Sequence, residues 1–267
     1  ETRRIVGRHV FKEQDNSLAN DYARTPVFRD AIAVTDWYMD SHSCTLDSRP
    51  DYEFDGKLIL TEESRPAQIP YRSLLPQDVD NLLVPACLSS THVAWGAVRL
   101  EPVWMQTGEA AGLAAALAIQ NDTTPAALDP ELLVKTMVAR KHFVSFFNDS
   151  NPADDQAASV AAQYFGTKGF FASYDARLDE PVSEAVATLW LKAFTALGRP
   201  GESHHDAGDL AAAVAAAEQA PSQPVGGVAA SRLFGTDTAV KLDLAAESVL
   251  TRGDLLEAMW GNLARRP

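Results

Sequence analysis

The residues best equipped for chemistry lie within residues 80–117, where an apolar run, a polar stretch and an Ala- and Gly-rich helix succeed one another. The polar stretch, 89–99, carries Ser89, Ser90, Thr91, His92 and Arg99. These side chains can donate hydrogen bonds, exchange a proton near neutral pH and supply a permanent positive charge. It leads into a helix predicted over 101–118, with Pro102 in the first turn, where its missing N–H costs nothing. The free N–H groups and positive dipole end of a helix start suit an anionic ligand. Upstream, His42 in Asp40-Ser41-His42-Ser43-Cys44 is a candidate general base, and Tyr71 and Arg72 are candidates for the wall of an active site. Each of these has a plain alternative: a histidine or arginine tying down a loop, or an edge strand with a buried tyrosine hydroxyl. Cys87 reads as a small core residue and Glu101 as a helix-start residue. His204-His205 reads as an exposed loop pair. Adjacent histidines point apart, and neither Cys44 nor Cys87 lies in a Cys-x-x-Cys pair, so no metal site is expected.

The elements that must position these groups change character along the chain. Five short runs rich in β-branched and aromatic residues predict strands at 4–11, 31–37, 57–60, 68–74 and 81–86, the last buried, with a hairpin signal at Asp55-Gly56. Such close succession favours an antiparallel or mixed sheet over repeated βαβ units. Gly108, Gly112, Ala115 and Ala116 make a narrow helical face suited to close approach of another backbone. Helices follow at 129–140, 155–166, 183–197, 207–220 and 252–264, with Ser183 and Thr251 as N-caps and 221–227 as a loop. The expected class is α+β. A mixed or antiparallel sheet portion in 1–145 precedes a small all-α domain in 146–267.

Bulk properties exclude some functions. A net charge of −13 spread over 267 residues disfavours a nucleic-acid partner, since a phosphate backbone rewards clustered Lys and Arg. The apolar stretches break well before the roughly 20 residues of a membrane span. The chain opens on Glu1, and a strand-like run begins almost at once, as in a piece cut from something longer.

Several segments, in order, resemble bacterial FAD-dependent oxidoreductases of the type often labelled xanthan lyase. They are Arg3-Arg4-Ile5-Val6-Gly7, Asp40-Ser41-His42, Gln68-Ile69-Pro70-Tyr71-Arg72-Ser73-Leu74-Leu75-Pro76, Ser90-Thr91-His92-Val93-Ala94, Arg99-Leu100-Glu101-Pro102 and Gly108-Glu109-Ala110-Ala111-Gly112. The resemblance implies the flavin-ring end of an α/β flavoprotein-type domain. FAD would be held by Ser89, Ser90, Thr91, His92, Arg99, Glu101, Pro102, Met105, Gln106 and Gly108. His92, His42, Arg99, Tyr71 and Arg72 would face a small-molecule substrate, sugar-derived if the label is a guide. No Gly-x-Gly-x-x-Gly occurs, so the pyrophosphate-binding half is expected from a preceding segment or a second chain. Two other readings stand beside this one: a polysaccharide lyase or hydrolase, and a non-catalytic binding module. The C-terminal stretch, with Leu178-Asp179-Glu180-Pro181-Val182-Ser183 and Thr251-Arg252-Gly253-Asp254, is weakly similar to S-layer homology repeats.

Overall fold

The structure, a computed structural model, describes residues 3–42, 57–154, 156–197, 207–226 and 248–263. It is α+β, as the sequence predicts. Strand β1 (Ala31–Thr35) pairs antiparallel with β4 (Ala67–Pro70), Val34 standing opposite Gln68. Strand β2 (Met39–Ser41) pairs antiparallel with β3 (Leu58–Leu60), Asp40 standing opposite Ile59. All five residues of β1 are buried, so its Ala-Ile-Ala-Val-Thr sequence serves a strand covered on both faces.

Helix α1 (His92–Val98) lies against β2, and α2 (Glu101–Gln120) against β1. The buried residues of α2 include Val103, Thr107, Ala110, Ala114 and Leu117, a helical stripe spaced three and four apart. Its opposite side leaves Met105 74% and Ile119 81% exposed. Then come α3 (Pro130–Ala139), α4 (Ala157–Gly166), α5 (Glu184–Ala196), α6 (Gly208–Gln219) and α7 (Arg252–Leu263). The caps behave as their residue types dictate. Ser183 accepts from Val186 N–H, while Thr251 and Asp254 bond each other's backbone N–H in a capping box.

Several expected strands take other forms. Segment 4–11 makes only isolated bridges, Gly7 to Pro76 and Phe11 to Ser90. Strand β4 stops at Pro70, whose ring removes a ladder donor, and Tyr71–Leu74 turn into a 3-10 helix. The run 81–86 is not a strand and is largely uncovered: Asn81, Leu82 and Ala86 are exposed. Apolar composition predicts burial only where neighbours exist on both sides, and no described strand lies beside this run. The stretch read as a polar loop, 89–99, contains α1, because Thr91 caps a turn rich in Ala, Val and Trp. The Asp55-Gly56 hairpin, Cys44 and His204-His205 fall outside the described residues.

One contiguous apolar core runs from Phe11 and Ile32 through Phe165, Phe171 and Trp190 to Leu263. It crosses residue 145 without a break. Buried cations bind the N-terminal segment to the helices. Arg24 lies 5.4 Å from the Phe147 ring and 5.3 Å from the Tyr174 ring, with burial lowering its pKa to about 10. Lys168 donates to Arg29 O at 2.9 Å and to the Glu131 carboxylate at 2.7 Å. Within the helical part itself, Arg252 stands 4.9 Å over Trp190 and pairs with Glu218 at 2.8 Å. After Lys168 the chain turns at Gly169, where φ is +82° and a Cβ would stand 2.2 Å from Ala207 O.

The Lys168–Glu131 pair makes a test of this seam. Burial acts to raise the Glu131 carboxyl, but the charge and hydrogen bond of Lys168 outweigh it and hold the group at about 2, below its ordinary 4.5. Burial lowers Lys168 even though Glu131 opposes it. Glu131→Gln leaves a buried ammonium without its counter-charge. Its side chain retains 30% exposure. That trims the expected loss to about 2–3 kcal/mol, below the 3–5 kcal/mol typical of breaking a fully buried pair. A carboxyl with a depressed folded pKa stabilises above its unfolded value and loses that stabilisation as pH falls through the folded one. In urea unfolding, the gap between wild type and Glu131→Gln is therefore full at pH 7 and shrinks as pH falls from 4.5 toward 2.

Candidate functional site

The site grows from a contact between two backbones. At Gly96, in the middle of α1, a Cβ would stand 2.2 Å from Asp40 O and 2.4 Å from Asp40 N. Only glycine lets the helix rest directly on β2. On the far side of α1, Thr35 Oγ1 donates to Ala97 O, fastening the helix to the end of β1. Its first turn is capped by Thr91, which also donates to the Glu13 carboxylate at 3.3 Å.

With the helix so placed, side chains from its two ends meet those of β2. Ser41 Oγ lies 2.7 Å from His92 Nε2. Arg99 Nη2 donates to Asp40 Oδ1 at 2.7 Å and to His42 Nε2 at 3.0 Å. The cluster runs from interior to surface: Ser41 is 2% exposed, the Asp40 side chain 13%, the Arg99 side chain 24% and the His42 side chain 75%. Two of the residues singled out in the sequence, His42 and Arg99, thus come together, while His92 meets Ser41 at the other end of α1. Asp40 and Ser41, which hold them, were in view only as neighbours of His42. Alternation along an extended run was the available signal, but β2 is three residues long, too short for a pattern.

Immediately after Arg99, α2 begins at Glu101 and Pro102, both exposed, with no side chain capping it. The guanidinium of Arg99 therefore stands just ahead of a helix start, with the 89–92 loop at the opposite end of α1. The loop and the guanidinium have capacity for a polar ligand: Ser89 Oγ, Ser90 Oγ and Arg99 Nε are buried without hydrogen-bond partners. Each such group costs about 1–3 kcal/mol until it is satisfied. Ser90 O accepts from Arg4 Nε at 3.3 Å, and Arg4 stands 5.4 Å over the Trp95 ring.

The remaining sequence candidates fall elsewhere. The Gln106 amide is engaged with the β1 backbone, accepting from Val34 N at 3.1 Å and donating to Val34 O at 3.2 Å. Met105 and Gly108 lie on the outer side of α2, and a Cβ on Gly108 or Gly112 would meet nothing within 4 Å. The small-residue face is thus open instead of packed on a second backbone. Tyr71 is 2% exposed and donates to Pro125 O at 2.9 Å, and burial pushes its phenol pKa upward. Arg72 is held bidentately by Asp30 at 2.9 and 3.3 Å. Both line a cavity of about 310 Å³ with Arg8 and Leu128, apart from the histidine cluster. Cys87, expected in the core, is exposed because the run before it is uncovered. Among the described residues no group of His, Cys, Asp and Glu could hold a metal ion, and no helix is long and apolar enough to cross a membrane.

A family model described as FAD dependent oxidoreductase matches residues 1–137, which take in β1 to β4, α1, α2 and most of α3. No curated protein and no solved structure matches the chain.

Gly96 is the position at which this geometry can be broken without touching a polar group. Gly96→Ala forces α1 away from β2 and is expected to destabilise the chain by about 1–3 kcal/mol, the range for overpacking. Both the Ser41–His92 and Asp40–Arg99 contacts should lengthen. Thermal unfolding together with the ring ¹⁵N shifts of His92 and His42 would register the two effects.

Proposed function

The chain belongs to the FAD dependent oxidoreductase family, and from that premise we propose that it forms the flavin-ring and substrate side of the active site. The observation that carries this reading is a pair of hydrogen-bonded groups that join β2 and its end to α1: Ser41 with His92 at the start of that helix, and Asp40 and His42 with Arg99 where it gives way to α2. FAD is the family's cofactor and supplies the transfer of a hydride or electron pair. Ser89, Ser90, Thr91, His92 and Arg99, with the first turn of α2, would hold its ring. Arg99 brings a fixed positive charge close to a helix N-terminus, so both favour negative charge at one place. His92, steadied by Ser41, orients the ring or the substrate. His42, at the exposed end of the cluster, faces an organic substrate, and a sugar-derived one fits its polar surroundings. Among the described residues, the carboxylate bonded within the cluster is Asp40, already paired with Arg99.

The dinucleotide half of the cofactor site would come from another segment or a second chain, seated against the outer side of α2. That side carries the open Gly108 and Gly112 positions and exposed Met105 and Ile119. Beside Gly112 is a hollow of about 320 Å³ that Arg140 and His142 also line. Exposed Val79 and Leu82 add apolar surface in the preceding run.

The experiment is a visible absorption spectrum of the chain purified together with every co-purifying partner, followed by addition of FAD. A flavin spectrum that disappears with Arg99→Ala, or a flavin reduction rate about 100-fold lower in that variant, is the expected result. An assembly that stays colourless with added FAD would overturn the reading. Gly108→Ala and Gly112→Ala should each stabilise the isolated chain by up to about 1 kcal/mol, as in an exposed helix. Gly108→Leu should instead weaken flavin retention in the assembly, because its side chain would stand where the second backbone approaches.

A further inference from the structure

The hydrogen bond between Arg99 and His42 has a direction. A guanidinium can only donate, so His42 Nε2, 3.0 Å from Arg99 Nη2, must be the acceptor and carry no proton. In the neutral ring the proton then sits on Nδ1, and the Nε2 lone pair is occupied. Free histidine prefers the opposite tautomer. The neighbour that imposes this choice is Asp40, which takes another N–H of the same Arg99 nitrogen at 2.7 Å. Asp40 cannot accept from His42 directly, since its nearer oxygen is 3.8 Å from Nε2. One guanidinium nitrogen is therefore pinned between two acceptors. Its backbone setting is rigid, because Gly96 seats α1 on the peptide groups of Asp40.

We infer that Asp40 is a positioning residue which, through Arg99, fixes His42 as the Nδ1–H tautomer, so that His42 presents a hydrogen-bond donor and not a general base to the ligand. The ligand group met by His42 is then an oxygen acceptor: a carbonyl, an alkoxide or a carboxylate. The Nδ1–H points away from the ring nitrogen that faces Arg99, so the ligand oxygen is met by the imidazole donor alone, with the guanidinium held behind it. This reverses the role that a solvent-exposed histidine beside an aspartate would ordinarily receive, and it makes the carboxylate act at one remove. The inference rests on the reading of this cluster as the ligand-facing site, but its test needs no flavin.

The test is a long-range ¹H–¹⁵N spectrum of the imidazoles in the full 267-residue chain. It would be recorded at a pH well above the ordinary histidine value of about 6.5, with His42 assigned by loss of its signals in His42→Gln. His9, whose Nε2 lies 2.8 Å from the Asp15 carboxylate, is the internal reference for an intact fold. In wild type, His42 should show the pattern of a protonated Nδ1 and an unprotonated Nε2. Asp40→Ala should return His42 toward the free-histidine pattern, about a five-fold shift in tautomer ratio for the loss of one ordinary hydrogen bond, with His9 unchanged. Asp40→Asn, which keeps an oxygen facing Arg99, should retain the wild-type pattern. A protonated Nε2 on His42 in wild type would overturn the inference, as would an unaltered His42 in Asp40→Ala. A colourless assembly alongside the expected spectra would instead count against the flavin reading alone.

Discussion

At Gly96 the backbone of α1 lies on the backbone of Asp40 with no side chain between them, and the placement of every polar group in the cluster follows from that contact. Strand β2 is three residues long and, among the described residues, pairs with β3 alone, so it is too slight to hold a site by itself. The helix supplies the missing rigidity, and it is anchored in turn by Thr35 at one end and by Thr91 and Glu13 at the other. His92 opens the helix and Arg99 caps its end, so one placement sets both ends of the cluster at once. A larger residue at 96 would move them together, which is why the constraint is sharper than any single hydrogen bond in the site.

The second half of the chain matters to the first through its buried cations. Residues 3–30 contain almost no regular structure beyond the short 3-10 turn Glu13–Asn16. Such a segment must be held from outside. Arg24 between two aromatic rings, Ala23 N donating to Ala172 O and Lys168 reaching Arg29 O do this from the helical side. Apolar residues in those places would hold the segment as well or better, since burying a charge carries a large desolvation cost. The cations add direction: a guanidinium or ammonium must find its acceptors, so the segment has one register on the helices. Asp30, at the end of that segment, then stands ready to orient Arg72, and buried apolar contacts continue across residue 145.

How much of this could be read from the residues depends on whether the cause was local. Helices α2 to α7 were legible because capping residues, proline at the first turn and period-3.6 apolar spacing all act within a few residues. The strand pair β1–β4 was legible at β1, where every residue is apolar or small, and its partner was caught until Pro70 ended it. The segment 4–11 reads as a strand because its composition is right. It forms only bridges, because its partners, Pro76 and Ser90, lie on loops that meet it at single points. In the site, His42, His92 and Arg99 were found by residue type. Asp40 and Ser41 as their holders, Gln106 as a clamp on β1 and the displacement of Tyr71 and Arg72 to another cavity all depend on tertiary contacts separated by more than 40 positions, which no local pattern encodes.

The features that departed most from expectation are next to the site, and they have one physical description. The run 81–86 has the composition of a covered strand and is uncovered, and the Gly108–Gly112 face has the shape of a close contact and meets nothing within 4 Å. Both sequences carry a penalty as they stand: exposed apolar area in one, and about 1 kcal/mol per helical glycine in the other. Penalties of this kind persist where another surface compensates them. The polar cluster behaves differently, since its bonds close among residues of β2, α1 and the α2 approach. It is organised by contacts within the chain. A flavin ring would thus meet donors already in place, and the binding energy of a second segment would not be needed to assemble them.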